Sequence, residues 1–472
     1  MVTAAGCDTG GRIGPGAGGS TGTAARSTAP ADRVNVPRGV VNGIAGEPEM
    51  RVRVMNASSG IAVNSGLRAV WVAGWGDARP AAKMTAPVQV SLDARQWTLT
   101  DSAGLTAHFD RTATVELSGE EGVVGAVLGE TGKPVVGAVG RGANVGLIRP
   151  GSPAITDSAM LSISGKRYGG VIRLSGRSEV SARSFDVVEY VALEDYLKGV
   201  VPAEMFANWP LAAYQTQAIT ARSYAIHERQ RARAAGERFD VEASVKDQAY
   251  LGGGQGSPLI TRAVDSTRGI ALTWAGQPLR AYYSSTCGGR PSAARDTWPT
   301  GAGFDYNLAG PVQGQIRDHA CQQATYYRWT VSRSRGELLQ RLRAFGQQSG
   351  TPLKGLTGLD SIRQAGVGLS GRPNRFLIMQ PGGQTFTVTG EELRRAANTE
   401  VGKLLPITAA TRVHSSDADV TILGNMVTFT GRGFGHGVGM CQWCAKGFAD
   451  KGESYSAIIQ RFYPGAKLER VY

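Results

Sequence analysis

Nowhere in its 472 residues does the chain string together eighteen apolar residues, which excludes a helix that spans a bilayer. It also lacks the phosphate-loop spacing GxxxxGKS/T. No strand-and-loop context for a nucleotide fold surrounds its glycine-rich segments, so nucleotide chemistry is a poor reading. No repeat of firm period recurs along it. Cysteine is scarce, at five residues. The Cys441-Gln-Trp-Cys444 spacing lacks the strand-then-helix setting of a thiol redox centre. No nucleic-acid-binding motif accompanies the positive charge, so no nucleic-acid partner is expected.

What the chain has in abundance is glycine and positive charge. Its 65 glycines point to a turn-rich, strand-rich build. Lys and Arg number 51 against 38 Asp and Glu, a net charge of +13 that favours an anionic partner without choosing one. Part of that charge lies in the helical run His227 to Arg238, read as a solvated face. A chain of this length holds two or three domains.

The first residues, MVTAAGC, set Ala-Ala-Gly directly before Cys7, like the end of a bacterial lipoprotein signal. What precedes them is too short for an apolar signal core. Either the true start lies upstream and Cys7 carries a lipid anchor, or the match is chance. The expectation is an exported protein of the cell envelope. Residues 1–47 read as a flexible tether of Gly, Ser, Thr, Ala and Pro. Residues 48–165 read as a β-rich accessory region, with MRVRVMNAS, LRAVWVAG, VQVSLDA and GVVGAVLG among its strands.

Four further cysteines, Cys287, Cys321, Cys441 and Cys444, could close two disulfides in any of three pairings. The pairing nearest in sequence is Cys287–Cys321 with Cys441–Cys444, and it suits an exported chain. A zinc site on Cys287, His319 and Cys321 competes with it.

The most informative stretch is Val187 to Ile226. A strand from Phe185 to Val191 leads into a short helix, Leu193 to Lys198, ended by Gly199. Pro202 then opens a segment that carries Glu204 at a break between helices. A partly desolvated acid there can hold its proton near neutral pH and act in acid–base chemistry; a plain helix-end carboxylate is the alternative. The next helix begins near Pro210, with Leu211, Tyr214, Ala218, Ala221 and Ala225 on one core stripe. Gln217, Arg222 and Tyr224 are its polar positions of interest, Arg222 being either an ion-pair partner or a sugar donor. Glu194 and Asp195 could supply a second carboxylate, although capping or solvation of their helix is the plainer reading. Downstream, the loop Tyr283 to Gly289 is rich in donors, and glycines surround His436 before a helix that starts near Met440. His436 is a ligand contact or a structural histidine.

Five ordered blocks then carry a resemblance: VALEDYLKGVVPAEM, NWPLAAYQTQAITARSYA, DQAYLGG, TRGIALTWAGQPLRAYYSSTCGG and GRGFGHGVGMCQW with FADKGESYSAIIQRFYPGA behind it. Together they resemble the SpoIID/LytB family, the stage II sporulation protein D and amidase-enhancer group of peptidoglycan-active proteins. The resemblance covers residues 166–472 and implies an α+β fold, a β-rich N-terminal region being followed by a catalytic or glycan-binding core. It implies a lytic transglycosylase that cuts glycan strands and leaves 1,6-anhydro-muramic ends, with Glu204 as the acid and base. The expected substrate contacts are Gln217, Arg222, Tyr224, Gln248, Tyr250, Ser285, His436 and Gln442. Some members enhance a cell-wall N-acetylmuramoyl-L-alanine amidase instead, so a non-catalytic wall-binding protein is the alternative. No cofactor is required, and zinc on Cys and His in some members keeps a structural zinc in view. Cys441 and Cys444 stand where relatives commonly show Ser and Gly.

Overall fold

The computed structural model describes residues 46–75, 82–119, 159–177, 179–254, 256–314 and 318–472, together with 36, 37 and 44. Most of the tether, with Cys7, and the strand expected at GVVGAVLG lie outside the described residues. The chain divides into two units. One comprises Arg38–Ala271, Gly276–Arg280 and Arg470–Tyr472; the other includes Leu272–Ala275 and Ala281–Glu469. Each is an α+β assembly in its own right.

The strands of the first unit are β1 (Glu49–Ala57), β2 (Ile61–Ser65), β3 (Ala69–Gly74), β4 (Ala82–Thr85), β5 (Val88–Leu92), β6 (Gln96–Thr100), β7 (Thr106–Asp110), β8 (Val115–Ser118), β9 (Leu161–Ile163), β10 (Lys166–Tyr168), β11 (Val171–Gly176), β12 (Phe185–Ala192) and β13 (Val241–Glu242). Its helices are α1 (Leu193–Glu204), α2 (Leu211–Ala234) and α3 (Pro258–Ser266). A seven-stranded sheet runs β13-β1-β12-β11-β8-β3-β4, and a six-stranded sheet runs β10-β9-β2-β5-β6-β7. Both sheets draw strands from either side of residue 165, so the boundary expected there is not a structural one. Antiparallel pairing of β1 with β12 ties Glu49 to Ala192 and Ala57 to Phe185. Met50 and Val52 point inward from β1, while Arg51 on its other face pairs with Asp240 at 2.7 Å. This alternation is what a half-buried strand requires.

Helix α1 corrects one expectation. It is a single helix of 12 residues with Gly199 and Pro202 inside it and Glu204 as its last residue. Gly199 does not end the helix; it makes room for a neighbour. A Cβ there would lie 2.4 Å from the Tyr250 ring and 2.3 Å from the Gly252 carbonyl. Helix α2, 24 residues long, packs against α1 and α3. Between Ala213 and Ile226 it is buried at nearly every position, polar ones included, so the single core stripe was too narrow a reading. Its basic end is braced as well as solvated, since Arg231 pairs with Glu237 at 2.6 Å.

In the segment that joins the units lie β14 (Ile270–Trp274) and β15 (Gln277–Pro278). The second unit continues with β16 (Tyr283–Ser284), α4 (Ala294–Thr297), β17 (Trp329–Ser334), α5 (Arg335–Ser349), β18 (Ser361–Val367), β19 (Pro373–Met379), β20 (Thr385–Thr389) and α6 (Gly390–Ala397). It closes with β21 (Ala418–Leu423), β22 (Met426–Gly431), β23 (Met440–Cys441), α7 (Gln442–Asp450), α8 (Tyr455–Phe462) and β24 (Lys467–Arg470). The sheets β17-β22-β21 and β18-β19-β20 share a core with α5 and α6, built on Trp329, Leu338, Leu342, Phe376, Ile378 and Phe429. Helix α6 starts on a capping box between Thr389 and Glu392. Among the described residues no helix is long and apolar enough to cross a membrane.

Candidate functional site

Glu204 ends α1 and is only 5 % exposed. Its Oε1 accepts the main-chain N–H of Ala249 at 2.7 Å, which fixes the plane of the carboxyl group. The segment that supplies this amide is itself held from several sides. Gln248 accepts from the Tyr196 hydroxyl at 3.2 Å and donates to the Ala221 carbonyl at 3.3 Å. Tyr250 donates to Glu189 at 2.8 Å and packs its ring 5.0 Å from that of Tyr196. Asp247 accepts the Glu242 N–H at 2.8 Å and the Tyr224 hydroxyl at 3.2 Å. Gln248 and Tyr250 are thus buried struts that place Ala249 beneath Glu204.

Two further acids hold the segment that anchors Glu204: Glu189, which accepts the Tyr250 hydroxyl, and Asp247, which accepts the Glu242 N–H. Burial pushes Asp247 up to about 6 and Glu189 up to about 7, the latter against the pull of the Gly170 amide and the Tyr250 hydroxyl. Tyr196 lies within electrostatic reach of Asp247, Glu204 and Glu189 together. Asp247 opens the DQAYLGG block, and an acid two residues before the anchoring amide was the available signal. Beyond Glu204 the chain turns through Phe206, which is 63 % exposed, while Tyr214 pins the turn through the Phe206 carbonyl (2.7 Å) and the Trp209 N–H (3.0 Å). An aromatic face two residues from the acid suits the apolar face of a sugar ring.

Several expected contacts are structural instead. Arg222 is fully buried in a two-pronged pair with Glu194 and also donates to the Ile270 carbonyl at 3.0 Å, so it is committed inside the fold rather than to a sugar. Glu194 is held by that pair and by the Gly269 amide at 3.2 Å, which removes it as a second catalytic carboxylate. Asp195 stands at the surface beside Lys198, 3.3 Å away. Gln217 is buried within α2. The Tyr224 hydroxyl accepts from Arg280 at 3.3 Å and donates to Asp247.

In the second unit, parallel pairing of β16 with β23 sets Ser284 beside Cys441 and brings Ser285 next to the start of α7, where Gln442 is the first residue. The Ser285 carbonyl accepts the Trp443 N–H at 3.1 Å. His436 is buried with both ring nitrogens used: Nε2–H donates to the Tyr283 carbonyl at 2.9 Å and Nδ1 accepts the Val438 N–H at 2.9 Å. Burial pushes it down to about 3, so it is a neutral brace and not a ligand contact. The expected disulfides are absent: all four thiols are free and buried, and their sulfur atoms lie within 4.8 Å of one another. His319 is not among them; its Nε2 faces the Tyr327 hydroxyl at 3.1 Å.

Residues 181–274, which include Glu204 and its anchoring segment, match the SpoIID model, described as a stage II sporulation protein. This match supports the SpoIID/LytB family for the stretch that holds Glu204. Residues 311–439, which hold most of the second unit's core, match a domain of unknown function (DUF8618). The chain is 28 % identical to an uncharacterized protein of Brachyspira hyodysenteriae, over 60 % of its own length and 68 % of that protein. It is 27 % identical to the Amidase enhancer of Bacillus subtilis, over 58 % of its length and 40 % of the enhancer. It is likewise 27 % identical to the Stage II sporulation protein D of Bacillus amyloliquefaciens, over 60 % of its length and 75 % of that protein.

Proposed function

We propose that the chain is a lytic transglycosylase of the cell envelope, which cuts peptidoglycan glycan strands with Glu204 as its acid and base. The observation that carries this reading is the pinned, nearly buried carboxyl at the end of α1, two residues from an exposed aromatic. Protonated Glu204 gives its proton to the oxygen that links N-acetylmuramic acid to N-acetylglucosamine, and that C–O bond breaks. The C6 hydroxyl of the muramic residue attacks its own anomeric carbon, and the Glu204 carboxylate takes the hydroxyl proton. A 1,6-anhydro ring forms, no water is consumed, and Glu204 ends protonated as it began. One acid therefore suffices, unlike the two-carboxylate hydrolase scheme.

The likeness to the Amidase enhancer favours a second reading, in which the protein binds the wall and assists an amidase without cutting glycan. Mass spectrometry of products from amidase-stripped peptidoglycan separates the two. Anhydro-muramic ends made by the native protein and lost in Glu204→Gln support the transglycosylase. Reducing ends point to hydrolysis. No products with retained glycan binding sinks catalysis and leaves the enhancer reading.

A further inference from the structure

Cys287 lies in the loop after β16, Cys321 in the loop before β17, and Cys441 and Cys444 flank the start of α7. Three segments far apart in sequence thus deliver four buried thiols to one point. The Cys287 sulfur is 3.7 Å from that of Cys321 and 3.8 Å from that of Cys444. A sulfur equally close to two others has no disulfide partner of choice. Such spacing is that of ligands around a common centre: with Zn–S bonds of about 2.3 Å, the edge of a tetrahedron of sulfurs is about 3.8 Å. We propose that Cys287, Cys321, Cys441 and Cys444 bind one zinc ion as a closed tetrathiolate site, and that His319 takes no part in it.

The surroundings suit thiolates. The Cys287 N–H points at the Cys441 sulfur (3.3 Å), the Ala320 N–H at the Cys444 sulfur (3.3 Å) and the Cys444 N–H at the Cys441 sulfur (3.4 Å). Such amides orient thiolate ligands and spread their charge. The backbone is cut to let the segments meet: a Cβ on Gly447 of α7 would sit 2.2 Å from the Ala320 carbonyl, beside Cys321. Cys441 points its S–H at the Ser285 carbonyl 3.6 Å away. When a divalent ion enters, four S–H bonds give their protons to solvent and four S–Zn bonds form. Two positive and four negative charges leave a net charge of two negative. No oxidant or reductant takes part.

Four protein ligands leave no open position, so the ion is structural and does not activate water. The same ligands hold zinc more tightly than ferrous iron. An iron–sulfur cube places each thiolate on a different iron at its outer corners, farther apart than the 3.7 Å seen here. The ion would staple the loop of Cys321 and the loop of Cys287 to the first turn of α7.

The test uses the full chain, purified without added metal, and reads metal content and spectra rather than activity. Elemental analysis is expected to find one zinc per chain. Exchange with cobalt is expected to give the intense sulfur-to-cobalt absorption and the visible bands of a tetrahedral four-thiolate ion. Cys444→Ser should weaken retention against a chelator by about tenfold or more, whereas His319→Ala should retain the ion fully. The native protein's cobalt spectrum keeps the proposal testable even if Cys444→Ser fails to fold. Two disulfides in the intact mass, four titratable thiols with no bound metal, bound iron, or loss of the ion in His319→Ala would each overturn it.

Discussion

Arg222 and Glu194 meet face to face in the interior of the first unit, Nε to Oε1 at 2.9 Å and Nη2 to Oε2 at 2.7 Å, with side chains 0 % and 1 % exposed. Breaking a pair so placed strands a charge, which typically costs about 3–5 kcal/mol. Arg222→Ala should therefore shift the urea midpoint strongly, with glycan affinity unchanged in whatever fraction stays folded. A variant as stable as the parent but impaired in glycan binding would return Arg222 to the sugar-donor role. The pair also carries a pH dependence. Burial alone would raise Glu194, but Arg222 overrides it and the carboxyl stays below its usual 4.5. Its share of stability is present above pH 4.5 and is lost as pH falls through the lower folded value.

His436 acts in the same direction at a higher pH. Its usual value is 6.5 and burial takes it to about 3, so the unfolded chain binds more protons between those values. Stability then falls as pH drops below 6.5, by about 2 kcal/mol between pH 7 and pH 5. Thermal melts at the two pH values, native beside His436→Gln, isolate this share. The variant should be less stable at pH 7 but lose less on acidification; equal losses would show that His436 does not titrate as its burial requires.

Asp247 has the opposite sign. Its usual value is 3.8 and burial holds it near 6, so the fold favours the protonated form. Its ionisation makes the protein less stable as pH rises from 3.8 to 6, a cost of about 2–3 kcal/mol that is fully present at pH 7. Asn has no proton to lose and can still accept from the Glu242 amide. Asp247→Asn should be as stable as the native protein or more so at pH 7, yet cut glycan more slowly, because Asp247 positions the loop segment whose Ala249 amide anchors Glu204. Measured together by melting and by anhydro-product yield, unchanged activity would remove Asp247 from the site's support. Lost stability would show that its ionised form is the one the fold prefers.

Much of this architecture was written in local sequence patterns. The alternation in β1, the strand from Phe185, the long helix after Pro210 and the helix after Met440 all stand where their patterns placed them. Local rules failed where a distant neighbour decided the outcome. Gly199 and Pro202 look like helix punctuation, but the ring of Tyr250 explains the glycine and the helix runs on to Glu204. Arg222 and His436 carry polar side chains whose partners lie elsewhere in the sequence, so their structural commitments had no local signature. The cysteines were the hardest case. Spacing suggested neighbours in sequence, whereas Cys287, Cys321, Cys441 and Cys444 are assembled by the fold. Asp247 and Glu189 gained their character from burial, which no pattern of residue types announces.

The pairing of β12 bears on what the unit of inheritance is. Both of its neighbours, β1 and β11, lie before residue 181, where the family match begins. A fragment cut at that residue would hold β12 as an orphan with two bare edges, and β13 would lose the strand it lies against. The stretch that the family model matches therefore does not carry its own sheet. The helix of Glu204 follows directly on β12, whose neighbours lie upstream of the match, so a change in residues 49–57 can reach Glu204 without touching a matched residue.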